Sequence, residues 1–169
     1  MKLFGSKVAF LPLGGSGKDW QQEGCAAYKQ MVSRLRTAGE MAKQEGIIIG
    51  IRTGMDAKFD KKLLKKVGSS QIKVYYNFQD AADHHRDICK ELRKLGAQRI
   101  VQIHASNTDS VNLQEDPEIN LPKIRKTLDK MKWSGWLVVE RSRDVKRVRD
   151  VKYNFGRNIA YLKQVFQER

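Results

Sequence analysis

Cysteine, histidine and long apolar runs are all scarce in this 169-residue sequence. The two cysteines, Cys25 and Cys89, stand far apart, which excludes a disulfide framework and fits two ordinary buried thiols in a reducing compartment. No apolar stretch approaches the roughly 20 residues that cross a bilayer. The start, "MKLFGSKVAFLPLGG", has only a short apolar part and no Ala-x-Ala-type cleavage site after it. A cytoplasmic chain with no membrane partner is therefore expected. Acidic residues are also in deficit: 19 Asp plus Glu against 33 Lys plus Arg leave a formal charge of +14. Such an excess raises nucleic acid or an anionic substrate as partners. However, the densest basic runs, 58–66 and 141–152, are broken by apolar residues at helical spacing. Phe59 is the one aromatic residue within them, short of the interleaved aromatics that a base-stacking platform requires. The expectation is a set of Lys-rich outer helices and no nucleic-acid partner.

A phosphate cradle is missing too, although "LPLGGSGKDW" imitates one. A P-loop needs Gly five residues before the Gly-Lys pair, and Pro12, which has no N–H, stands there. It also needs Ser or Thr after the lysine, and Asp19 follows Lys18. The stretch reads as a strand-to-helix loop.

What the sequence does contain is a regular alternation. Short β-branched or aromatic runs occur at 7–13, 47–53, 72–78, 99–106 and 136–142, each followed by a charged segment of helical period. One helix is expected between Met55 and Gly68, with Phe59, Leu63, Leu64 and Val67 on one face. The next is expected from Asp80 to Gly96 with Asp80 as its N-cap. Another begins at Asn120 and Pro122, and the last turns Val148, Phe155, Ile159, Leu162 and Phe166 inward. Repeated βα units imply a parallel sheet covered by helices, either doubly wound or part of a barrel. Parity decides between them. One face carries Ile48, Gly50, Arg52, then Lys73, Tyr75, Asn77, then Gln102, His104, then Val138, Glu140. The opposite face, with Ile47, Ile49, Ile51, Val74, Val101, Ile103, Leu137 and Val139, is apolar except for Tyr76. A sheet buried on both faces seldom carries such a polar face, whereas a barrel lumen accommodates it at its mouth. The fold class expected is α/β: a partial (β/α)8 TIM barrel of five parallel strands, each followed by a helix, with residues 1–169 as one domain.

On this reading Arg52, Asn77, His104 and Glu140 sit at strand ends, at one level, facing one centre. Glu140 is the most telling, because a carboxylate after four apolar strand residues needs a cation or donors beside it. His84 and His85 fall in an exposed, charged helix and read as surface residues.

The segments "GWLVVERSRD", "VQIHASNTD" and "IKVYYNFQDA" resemble the last three strands of the xylose isomerase-like sugar phosphate isomerase/epimerase family. "VAFLPL" and "GIIIGIRTGM" resemble the two strands before them, so the resemblance runs from about Lys7 to Phe166. It implies strands four to eight of a TIM barrel, with the first three βα units missing. It also implies a divalent cation, Mn or Mg, in a Glu, Asp, His, Glu set. The final Glu falls on Glu140 and the His on His104, but the Asp position is Asn77 and the first Glu position is Arg52. Asn77 offers an amide oxygen without charge, and Arg52 cannot ligate a cation.

The activity implied is isomerisation or epimerisation of a sugar or sugar phosphate through an enediolate or hydride shift, in a chain expected to be truncated, with inactivity left open. Glu140 and Arg52 are the catalytic candidates, and His104, Glu140 and Asn77 the metal candidates. Arg52, Lys73, Asp80, Lys18 and Trp20 are the candidates for substrate binding, and residues 107–120 form a candidate lid. Two other functions stay open: a non-catalytic carbohydrate-binding or degenerate barrel module, and an apurinic endonuclease-like repair protein. The second resembles a three-zinc enzyme, for which three histidines are too few. An incomplete barrel leaves two unpaired edges, so a homo-oligomer or a missing N-terminal half-barrel is expected to complete it.

Overall fold

A computed structural model describes residues 5–14, 18–107 and 109–168. Five strands, β1 (Val8–Pro12), β2 (Ile48–Arg52), β3 (Ile72–Asn77), β4 (Ile100–His104) and β5 (Trp136–Val138), pair in sequential order and all in parallel. A helical segment follows each strand: α1 (Ala26–Gln44), α2 (Ala57–Val67), α3 (Phe78–Ala82) with α4 (Ile88–Leu95), α5 (Leu121–Lys130) and α6 (Val151–Phe166). The sheet curls into a half-barrel, so the fold is the expected partial TIM barrel.

Three helix boundaries follow the chemistry of the sequence. The Asp56 carboxylate accepts from the Phe59 N–H at 2.7 Å and starts α2; Gly68, at φ 73°, ends it in the left-handed conformation. Asn120 accepts from the Lys123 N–H at 2.9 Å and starts α5, with Pro122 in its first turn. The helix expected from Asp80 to Gly96 is instead two. Asn77 caps α3, Asp87 caps α4, and the chain turns between them at His85, with φ 51°. Asp80 is thus not a cap but lies inside the first turn of α3. His84 and His85 are exposed, as expected, though in a turn rather than a helix.

The helix-facing side of the sheet is apolar and buried, with Ile51, Val74, Ile103 and Tyr76 in the core against Leu63, Val67, Leu92 and Leu95. Two carboxylates enter this layer. Asp60 accepts from the Thr53 hydroxyl at 2.6 Å, and Glu91 accepts from the Tyr76 hydroxyl at 2.9 Å and the Ala57 N–H at 3.2 Å. Val101 departs from its expected face. Val74 pairs with Ile100 but Tyr75 pairs with Gln102, so a bulge at Val101 breaks the alternation and brings its Cγ1 toward Gly50. In α6 Leu162 is buried but Ile159 is 43% exposed, because Asn154 and Asn158 take the inward positions. No described helix is long and apolar enough to cross a membrane.

Candidate functional site

Arg52, Asn77 and His104 are the last residues of β2, β3 and β4, and Glu140 lies two residues beyond β5, which is shorter than expected. Their convergence is the expected one. Glu140 Oε2 stands 3.3 Å from His104 Nδ1 and 4.0 Å from Arg52 Nη1. The first separation lies within ion-pair range but lacks hydrogen-bond geometry. Arg52 finds its main partner elsewhere: Nε and Nη2 donate to the two Asp80 oxygens at 2.9 and 2.6 Å, a bidentate fork. Asp80 reaches it from the first turn of α3.

Aromatic rings wall this cluster. The Tyr75 ring centroid lies 4.4 Å from that of His104, and Phe10 lies 4.7 Å from Tyr75 and 5.1 Å from His104. Gly50 makes room for them, since a Cβ there would stand 3.0 Å from the Tyr75 ring and 2.8 Å from Val101 Cγ1. Burial, helped by Arg52 and opposed by Glu140 and Asp80, holds His104 below its ordinary value, so the imidazole is uncharged at neutral pH. Burial and then Glu140 push the Tyr75 hydroxyl up to about 12. The bond to Asp80 raises Arg52 further, so its charge is permanent.

The loop bearing Glu140 is anchored. Arg141 and Arg143 both bind Asp109, and Ser142 between them is buried at φ 81°. The Ser142 hydroxyl accepts from the Asn107 N–H, and its carbonyl accepts from Asn112 and Asn158. Leu113 N–H donates to Asn158 and the Asn107 amide donates to Asp116, so the loop expected to be a lid is tied down on both sides of Thr108, which lies outside the described residues. Four buried polar atoms near the carboxyl ends of β3 and β4 have no hydrogen-bond partner among the described residues: Asn77 Nδ2, His104 Nδ1, Ser106 Oγ and Asn107 Oδ1. Each such atom costs about 1–3 kcal/mol unless something satisfies it, and hydroxyl groups of a ligand are suited to do so.

The other candidates do not join the cluster. Lys73 opens β3 at the opposite end, in a cleft with Lys61, Lys65 and Arg99. Trp20 packs near Phe59 on the helix side, ring centroids 6.0 Å apart. Gly15–Gly17 and the Lys18 side chain lie outside the described residues. Sequence reasoning missed Phe10, Tyr75 and Ser142. Tyr75 was on the right face by parity, but its partnership with Phe10 runs across β2 and depends on Gly50.

A divalent cation does not fit this donor set. Asp80 gives both oxygens to Arg52, and Asn77 Oδ1 accepts from the Gln79 N–H at 2.8 Å as the cap of α3. That leaves Glu140 and His104 beside a fixed guanidinium. Among the described residues no group of three His, Cys, Asp or Glu side chains is placed to hold a metal.

No curated protein matches the chain in sequence. Its fold is similar to that of 3-keto-D-glucoside 4-epimerase from E. coli, with a TM-score of 0.74 at 10% identity over 95% of this chain and 65% of that one. It is similar to a xylose isomerase domain protein from Planctomyces limnophilus, with TM-score 0.70, 15% identity and coverage of 95% and 61%. It is also similar to D-psicose 3-epimerase from Clostridium cellulolyticum H10, with TM-score 0.69, 13% identity and coverage of 82% and 56%. The chain thus spans 56 to 65% of the length of these proteins. A sequence model of the xylose isomerase-like TIM barrel matches residues 1–165, and the chain belongs to that family.

Proposed function

We propose that the chain binds a small sugar or sugar phosphate at the mouth of the half-barrel and moves a proton between carbons next to its carbonyl. The observation that carries this reading is the meeting of Glu140, His104 and Arg52 at the strand ends, beside buried polar atoms with no hydrogen-bond partner among the described residues. Membership of the xylose isomerase-like family supports the same class of chemistry. Glu140 is the carboxylate with room to act, its side chain 44% exposed, whereas Asp80 is held by Arg52. It takes the proton from the carbon beside the carbonyl; the C–H electron pair becomes part of a C=C bond, and the carbonyl oxygen gains the negative charge. Arg52 supplies fixed positive charge for that oxygen, the electrophilic part that the family resemblance assigns to a metal. The proton of the adjacent hydroxyl passes to that oxygen, the oxygen it leaves becomes the new carbonyl, and return of the proton from Glu140 to the former carbonyl carbon completes an aldose–ketose interchange. One free carboxylate suits this one-base transfer, because epimerisation by two bases needs a second on the opposite face. Within this reading the five units stand as units four to eight of an eight-unit barrel. A second copy or further βα units cover the open edges.

The test is incubation with D-fructose or D-tagatose in D2O, followed by proton NMR. Deuterium is expected beside the carbonyl with the parent, and Glu140→Gln is expected to lower the rate at least about 100-fold. Sugar binding without exchange would instead support a non-catalytic carbohydrate module, which the Arg52–Asp80 fork favours by holding part of the site closed. Neither binding nor exchange would overturn both readings.

A further inference from the structure

The charge of this chain is distributed by topology. The segments that lead from each strand end into the next main helix (13–25, 53–56, 78–87, 105–120 and 139–150) carry 13 of the 19 carboxylates but only seven cations, a balance of −6. The rest of the chain holds 26 cations and six carboxylates, a balance of +20. Adjacent helices α2, α4 and α5 alone carry 12 cations and three carboxylates, Asp60, Glu91 and Asp129. Asp60 and Glu91 are buried and bonded inward, so only Asp129 shows, paired with Arg125. Among the described residues Glu23, on Lys62, is the other carboxylate ion-paired with this layer; the cap residues Asp56 and Asp87 lie at the mouth end. In the run 58–66, Leu63 and Leu64 are turned into the core, which leaves the outer face of α2 close to purely basic.

At the amino ends of β3 and β4 this face opens into a cleft of about 550 Å³. Lys61, Lys65, Lys73 and Arg99 surround it with Ser69 and Ser70, and no carboxylate lines it. Cations in the last turn of a helix complement its dipole, which accounts for Lys65, Lys66, Arg93 and Lys94. It does not account for Lys73, which lies on a strand. None of the exposed large hydrophobic residues, Phe10, Met41, Trp136, Val145, Val151 and Ile159, belongs to α2, α4 or α5, so this face lacks anchors for insertion into a bilayer.

We propose that the outer face of α2, α4 and α5, with the cleft at the amino ends of β3 and β4, binds the phosphodiester backbone of a nucleic acid. The sequence-based expectation of no nucleic-acid partner rested on the interrupted runs and the missing aromatics. Neither bears on backbone binding, which needs cations alone and is independent of base sequence. The net negative mouth repels the same polyanion, so the ligand rides on the side opposite Glu140 and leaves the sugar site open.

The test is fluorescence anisotropy of the full chain with a labelled 20-base-pair DNA duplex and an RNA duplex of the same sequence, at 50, 100 and 200 mM KCl. Binding at 50 mM is expected to weaken steeply with salt, with a log–log slope of about −4 or steeper for contacts to several phosphates. Lys61→Glu/Lys65→Glu/Lys94→Glu is expected to weaken binding at least tenfold and to flatten the slope by about two to three. A control with the same change of charge on the mouth side, Lys146→Glu/Arg149→Glu/Lys152→Glu, is expected to stay within about threefold of the parent. Circular dichroism checks that each variant is folded, and Lys61→Gln/Lys65→Gln/Lys94→Gln replaces the first set if reversal unfolds it. Preference between the DNA and RNA arms identifies which backbone is bound. Equal weakening by the two charge-reversal sets would overturn the proposal, because it reports net charge and not a face. So would the absence of binding at 50 mM KCl, or tighter binding to phosphatidylserine vesicles than to either duplex.

Discussion

Arg52 and Asp60 are two residues whose surroundings alter their chemistry. Arg52 is fixed by the Asp80 fork, which leaves Nη1 on the Glu140 side. Asp60 is buried, and burial, with Glu91, Asp56 and Asp80 adding and the Thr53 hydroxyl opposing, lifts its carboxyl to about 7. A carboxyl whose folded-state value exceeds its unfolded one favours folding while it is protonated. That contribution is whole below the unfolded value of 3.8 and is lost as pH rises through about 7. Asp60→Asn, which can still accept from Thr53, is therefore expected to gain stability over the parent between pH 5 and pH 8, by roughly 2–4 kcal/mol. Denaturant unfolding of both proteins at the two pH values measures the difference, and a pH-independent difference would contradict the assignment. Taking the difference removes His104, whose lowered value acts with the opposite sign, costing stability as pH falls below about 6.5. At this scale Glu140 was legible, because a carboxylate ending an apolar run demands a partner. Asp80 as the fork on Arg52 was not, because the helical pattern from 80 to 96 makes it a cap, whereas Asn77 caps α3 and puts Asp80 in the first turn.

Among the elements, β2 sets the shape of the site through a residue with no side chain. Gly50 lies under the Tyr75 ring and beside the bulged Val101, and the ring contacts from Phe10 to Tyr75 to His104 pass over it. Gly50→Ala would place a methyl group 2.8 Å from Val101 Cγ1, so one of the neighbours must move. Overpacking of this kind costs about 1–3 kcal/mol. A drop in thermal midpoint is expected, together with a change in the near-ultraviolet signal of Tyr75. An unchanged midpoint would mean that the strand accommodates the methyl group by shifting. The strands and their order were readable from alternation and period. The bulge was not, since Val101 differs in no way from its neighbours in a run of β-branched residues. Its position follows from the pairing of β4 with β3.

For the whole molecule, the family match, the sequential parallel sheet and the charge asymmetry describe one object: a partial barrel whose candidate site lies at one end. Strands β1 and β5 each pair with a single neighbour among the described residues, and Trp136 on β5 is 73% exposed. Unpaired strand edges promote association, so light scattering is expected to give a mass above that of the 19.4 kDa chain. A monodisperse monomer with a cooperative thermal transition would contradict this. The central claim is that Arg52, Asn77, His104 and Glu140 form one site in which a guanidinium holds the place of metal charge. Calorimetric titration with Mn²⁺ at a single pH tests it most directly, on the parent, Arg52→Glu and Arg52→Glu/Asn77→Asp. Each added carboxylate gives a hard cation a charged oxygen. The parent is therefore expected to show no binding, and the single and double variants a stepwise gain of about tenfold or more per carboxylate. Tight binding of Mn²⁺ by the parent, or no gain in a folded double variant, would contradict the account.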